Sequence, residues 1–255
     1  MSLKFSERAH KYWLDGRPVP GVTTLIGKGL PKPAIPYWAA RTVAEHVVAD
    51  PAAVVEMVER MGPRAAVAAL KETPWQKRDD AAVRGTDVHA LAERLVHGED
   101  VDVPEHLAGH VEGYARWLDV FDVEPILTER SVASRRWWYA GRFDLIARIG
   151  DTTWGLDIKT SSGIYGETAL QIAAYMGAEF YVNDDDPDTE HAIPTVDRIG
   201  AIHVTADGSV LYPLLNDAAD IADAHGIFLH VAHVAKRTDW IKGRVGDPIE
   251  EPSHV

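Results

Sequence analysis

The sequence predicts an α/β fold, a central mixed β-sheet flanked by helices, with an N-terminal helical portion closing one side. Three observations predict it. Residues 142–149 alternate, with Phe143, Leu145, Ala147 and Ile149 on one face and Arg142, Asp144, Ile146 and Arg148 on the other, the period of a half-buried strand. Residues 154–159 alternate again, Trp154, Leu156 and Ile158 against Asp157 and Lys159. The short Asp151-Thr152-Thr153 stretch between them suits an antiparallel hairpin. On either side the text turns helical: 36–94 is rich in alanine, and 167–181 carries Gln171 and Tyr175 four residues apart on one face.

In chain order, residues 4–14 and 17–22 flank Asp15-Gly16, a type I′ hairpin signal. Pro20-Gly21-Val22-Thr23-Thr24 leads into a short helix with Thr23 as its cap. The helical stretch 36–94 is expected to break at Asp50-Pro51, Gly62-Pro63 and Thr73-Pro74. An amphipathic helix covers 104–122, with Leu107, Val111, Tyr114, Leu118 and Phe121 at core spacing. Strands follow at 125–134, 135–148 and 152–160. After the helix of Gln171, residues 197–214 read as two strands around Ala206-Asp207-Gly208, and a last helix over 216–237 ends in Lys236-Arg237. Neither a repeat nor a linker interrupts the text. It reads as a single domain over 1–255, with a hairpin and helical portion (1–75), a core (76–245) and a tail (246–255).

Composition narrows the function classes. With 46% apolar residues and no long apolar run, the expectation is a soluble, cytoplasmic protein without a membrane partner. The absence of cysteine excludes disulfides and thiolate metal sites, an iron–sulfur cluster included. A formal net charge of −13 argues against bulk affinity for nucleic acid, although a local field or a bound cation can reverse the sign at a site. The acidic run 183–190 reads as a solvated loop.

The hairpin carries the chemistry. It brings Asp144, Asp157 and Lys159 onto one face, and two converging carboxylates repel unless a cation lies between them. Hard oxygen donors suit Mg²⁺ or Mn²⁺. A lysine alongside can hold a phosphate oxygen or, with a lowered pKa, help deprotonate a water. Taken alone, Asp157-Ile158-Lys159 reads as a charge pair on a solvated sheet face. Three further features weigh against that. Gln171 and Tyr175 follow the lysine strand; Gly85-Thr86 opens a helix bearing His89 and, four residues on, Glu93; and Glu129 lies at the start of the strand before the hairpin. Glu129 reads either as a second-metal ligand or as the partner of a basic residue.

Gly85-Xaa-Xaa-Xaa-His89, Gly141-Xaa-Xaa-Asp144, Asp157-Xaa-Lys159-Thr160 and Gln171-Xaa-Xaa-Xaa-Tyr175, in that order, resemble the RecB-like branch of the PD-(D/E)XK nucleases. That branch includes phage exonucleases and CRISPR-associated RecB-like exonucleases. The likeness covers about residues 80–180, and the opening from His10 to Thr24 is similar to the start of phage members. It implies a restriction-endonuclease-like core and a metal-dependent exodeoxyribonuclease acting on linear DNA in phage or bacterial recombination and repair. The products would carry a 5′-phosphate and a 3′-hydroxyl. His89, Asp144, Asp157 and the Ile158 carbonyl would hold Mg²⁺ or Mn²⁺, and Glu129 keeps its two readings, second-metal ligand or partner of a basic residue. Lys159 would orient the water, and Gln171 and Tyr175 would position Lys159 or the phosphate.

Arg84, Arg135, Arg136, Arg142, Lys236 and Arg237 are weaker candidates for DNA contacts, and the resemblance points to an annealing protein or a helicase as a partner. The rival readings are a non-catalytic DNA-binding recombination scaffold with a nuclease-like fold, and an endonuclease or RNase of the same fold.

Overall fold

A computed structural model describes residues 3–6, 9 and 11–249. His10 and the last part of the expected tail, 250–255, lie outside the described residues. Two sheets form. The small one pairs β1 (Leu3–Ser6), β2 (Lys11–Leu14) and β3 (Arg17–Val19) antiparallel. Asp15 (φ 51°) and Gly16 (φ 74°) both take positive φ at the β2–β3 turn, as a type I′ turn requires.

Helices α1 (Val22–Gly29), α2 (Ala34–Ala49), α3 (Pro51–Met61) and α4 (Pro63–Val96) follow. Gly21, not Thr23, occupies the cap of α1, and the chain entering it is pinned by the Ala140 amide, which donates to the Pro20 carbonyl. Breaks fall at Asp50-Pro51 and Gly62-Pro63 as expected, but α4 runs through Pro74. Packing of α4 on α2, α3 and α5 (Ala108–Val120) offsets the ladder bond that proline removes.

The main sheet has the order β7-β4-β5-β6-β8-β9, from β4 (Glu124–Ser134), β5 (Tyr139–Ile149), β6 (Thr152–Lys159), β7 (Phe180–Val182), β8 (Arg198–Thr205) and β9 (Gly208–Leu215). Only β6 and β8 run parallel, so the sheet is mixed. Residues 135–138, expected as strand, form the turn between β4 and β5, tied by backbone amides that donate to the Glu179 carboxylate and the Ser134 hydroxyl. Helix α6 (Glu167–Met176) stops at Gly177 rather than at 181. The His225 ring occupies the space of a Cβ at Gly177, and the chain beyond turns back to pair β7 with β4. The final helix, α7 (Ala218–Lys242), extends past its expected end.

Helices cover both faces. Ile146, Ile172, Ile199 and Phe228 belong to the core under α1, α6 and α7, and Leu145, Ala147, Trp154, Leu156 and Ile158 to the core under α4 and α5. Phe143 packs with the first group, so the strict alternation expected from Phe143 to Ile149 breaks at Asp144. Opposite that break, flanked by the Thr128–Leu145 and Arg130–Phe143 pairs, stands Glu129 with φ 49°, a strained backbone for a non-glycine residue inside a strand. Among the described residues no helix is long and apolar enough to cross a membrane.

Candidate functional site

The irregularity at Asp144 lies where the side chains singled out in the sequence converge. The β5–β6 register pairs Leu145 with Leu156, which sets Asp144 and Asp157 one step further along, side by side. Asp144 Oδ2 accepts from the Ile158 amide at 2.6 Å. Asp157 is only 2% exposed, and its Oδ1 accepts from Gln171 Nε2 at 2.8 Å. Gln171 Nε2 also lies 3.1 Å from the Tyr175 hydroxyl, while its Oε1 accepts from Lys159 Nζ at 3.2 Å. The Lys159 ammonium contacts Asp157 Oδ2 at 2.5 Å, yet that buried oxygen receives no aligned hydrogen bond. Asp157, Lys159, Gln171 and Tyr175 therefore form one connected network, and Asp144 is tied beside it through the Ile158 amide.

Two glycines let the elements close. A Cβ on Gly141 would lie 2.3 Å from Tyr175 Cε1, so the ring that steadies Gln171 needs a glycine beneath it. A Cβ on Gly85 would lie 3.0 Å from Thr160 Oγ1, and this approach brings α4, with His89 one turn on, against the end of β6.

His89 Nδ1 stands 3.4 Å from Asp144 Oδ2, and His89, Glu129 and Asp144 each offer an atom within 4.8 Å of the others. Of the expected ligands, these three gather. Asp157 belongs instead to the Lys159–Gln171 side, directly adjacent, and the Ile158 backbone meets both Asp144 and His89. Glu93 is not part of the group.

The electrostatics are those of a crowded acidic site. Burial, then the Asp157 charge, pushes the Asp144 carboxyl well above the usual carboxylate range. Burial and Asp144 push Glu129 up to about 7, although Arg142 pulls the other way. Burial lowers His89. Burial also works against the Lys159 ammonium, but Asp157 and Asp144 outweigh it and its pKa is raised. The lowered value that a lysine base would need is thus not what this environment produces; Lys159 is held as a cation. Tyr12, pushed up to about 12, Tyr114 and Tyr175 all feel Asp144, burial being the main cause in each case. In the sequence Tyr114 stands at core spacing and Tyr12 reads as a packing or base-stacking residue, and no spacing signal marks either as a neighbour of the acids.

The basic candidates divide. Arg142 donates to Glu129 Oε2 at 2.7 Å and to both oxygens of Asp184, so Glu129 is a partner of a basic residue as well as a member of the acidic group. Arg135 is occupied by Asp15 and Glu190. Asp184 and Glu190 both come from the run read as a solvated loop; that run instead neutralises two of the expected DNA contacts. Arg136 stacks on Trp137, Lys236 donates to the Trp137 carbonyl, and Arg84 and Arg237 are exposed.

No protein-family model matches the chain, and no curated protein matches it. Among solved structures, a crystal structure of a protein designated SSO0001 aligns at 18% identity with a TM-score of 0.29. The alignment covers 55% of this chain and 62% of that one, less than two thirds of its length.

Proposed function

We propose that this protein is a metal-dependent deoxyribonuclease of the PD-(D/E)XK type, acting as an exonuclease on linear DNA. One observation carries the reading. Asp157, Lys159 and Gln171 are linked side chain to side chain, and Asp144, held by the Ile158 amide between Asp157 and Lys159, stands beside them with His89 and Glu129, in the spacing that resembles that superfamily.

The side chains suit a hard divalent cation. Three carboxylates (Glu129, Asp144, Asp157) face two fixed cations (Arg142, Lys159), and two of the acids are pushed toward protonation. His89, Asp144 and Glu129 would hold Mg²⁺ or Mn²⁺, with Asp157 alongside; the imidazole leans the set toward Mn²⁺. When bound, the cation supplies Lewis-acid polarisation of the phosphate and an acidified water.

The protein's own groups do the rest. Lys159, kept charged by the two aspartates, stabilises the charge that builds on phosphate oxygens in the transition state. Gln171 fixes both the ammonium and Asp157, and Tyr175 fixes Gln171. Preorganisation of this kind costs nothing at the moment of reaction.

The test is digestion of 5′- and 3′-labelled linear DNA, single- and double-stranded, and of RNA, in Mg²⁺, Mn²⁺ or EDTA. Circular DNA and Lys159→Ala run alongside. The expected result is metal-dependent loss of linear DNA, sparing of circles, and little activity in the variant. Equal cleavage by Lys159→Ala would remove the site assignment, and DNA binding without cleavage would favour the scaffold reading.

A further inference from the structure

The β4–β5 turn carries a second feature that the acidic network does not use. Trp138 adopts φ 51°, a costly backbone for a bulky residue, and its indole N–H donates to the Pro18 carbonyl at 3.2 Å. The Arg135 and Arg136 amides donate to Glu179, and the Trp137 amide to the Ser134 hydroxyl, so the turn is fixed before any partner arrives. It displays Arg–Trp pairs: Arg17 lies 4.6 Å over Trp138 and Arg136 lies 5.1 Å over Trp137. Even so covered, Trp137 stays 42% exposed.

Helix α7 extends the display. Lys236 donates to the Trp137 carbonyl, and Trp240, one turn further on the same helix face, is 54% exposed with Arg244 stacked on it at 4.9 Å. Arg17, Arg136, Lys236 and Arg244 have no carboxylate ion-pair partner among the described residues, in a chain whose net charge is −13. One exposed indole on the turn, Trp137, and one at the end of α7, Trp240, each with an arginine beside it, suit a flexible polyanion with flat faces, while Trp138 is half-buried and anchors the turn. A duplex would offer phosphates but hide its base faces.

We infer that the β4–β5 turn and the end of α7 form a stacking platform for single-stranded nucleic acid, about 20 Å along β5 from Asp144. The platform deepens the nuclease reading by adding a contact for a strand that passes through the acidic site, and it acts in binding alone.

The experiment is fluorescence anisotropy of a labelled oligothymidylate with the full chain in EDTA, which separates binding from cleavage. Trp137→Ala should weaken binding about tenfold, with Trp137→Phe restoring most of it. Arg136→Ala should reduce the magnitude of the log K against log salt slope by about 0.7. Thermal unfolding checks that each variant is folded. Equal affinity of wild type and Trp137→Ala overturns the platform, as does equal Trp137 dependence for a duplex or for heparin, which would mark a patch that reads charge only. The two readings fail separately. Trp137-dependent binding without any cleavage leaves the platform and removes the nuclease, and cleavage with Trp137-independent binding does the reverse.

Discussion

Gly141→Ala is the substitution through which the packing account is most exposed. The new methyl would sit 2.3 Å from Tyr175 Cε1, 2.8 Å from Cδ1 and 3.3 Å from Val22 Cγ2, against an ordinary carbon–carbon contact of about 3.5–4.0 Å. The ring has little room to yield: Tyr175 is 4% exposed and its hydroxyl is tied to Gln171. Overpacking of this kind costs about 1–3 kcal/mol. Losing the Tyr175–Gln171 bond adds about 1 kcal/mol, and the reduced freedom of the unfolded chain returns about 0.5–1 kcal/mol. The net expectation is a loss of about 1–3 kcal/mol, which lowers Tm by about 2–10 °C in a chain of this size. Gln171 would lose its support, so DNA cleavage should fall by more than the folded fraction does. Gly226→Ala is the control: it lies inside α7 with nothing within 4 Å of a new Cβ, and should gain about 0.5–1 kcal/mol. Thermal and urea unfolding of both variants beside wild type decide the matter. If Gly141→Ala unfolds at or above the wild-type temperature while Gly226→Ala behaves as expected, the reasoning about Tyr175 is wrong.

Two further outcomes follow from the same geometry. Mn²⁺ at about 100-fold its Kd should stabilise the folded chain by about 2.7 kcal/mol, and Asp144→Asn should abolish most of that shift; an equal shift in the variant, or none in wild type, would remove the ligand assignment. His225, whose pKa burial lowers, is half-buried at the edge of the core, 3.1 Å from the Tyr139 hydroxyl. Its folded pKa lies below the unfolded value of about 6.5, so the unfolded chain takes up the proton first. Stability is therefore greatest above that value and falls as pH drops towards the folded pKa. Urea unfolding at neutral and mildly acidic pH should give a shallower loss for His225→Gln than for wild type, and identical losses would show that His225 does not contribute.

What could be read from the sequence was mostly local. Alternation in 154–159 placed Asp157 and Lys159 on one face because a parallel neighbour, β8, keeps β6 regular. The same pattern misplaced Phe143 relative to Leu145, since a left-handed Glu129 on the adjacent strand leaves no mark in the text of β5. Pro74 signals a break only when tertiary packing is ignored. Gly85 and Gly141 were visible as motif letters, but their reason, close approach to Thr160 and Tyr175, is a contact between elements distant in sequence. Likewise Asp184 and Glu190 read as solvent-facing charge until the fold sets Arg142 and Arg135 opposite them. Charge pairing across forty or more residues has no periodicity to detect.

The most direct test of the central proposal is a single-turnover time course on end-labelled linear DNA across a range of Mn²⁺ concentrations, comparing wild type with Asp157→Asn. Wild-type cleavage should saturate with Mn²⁺, and Asp157→Asn, which removes the carboxylate that holds Lys159 in place and charged, should lose about a hundredfold, the scale of losing the Lys159 contact to the transition state. Cleavage that ignores Mn²⁺, or that survives Asp157→Asn unchanged, would contradict the proposal.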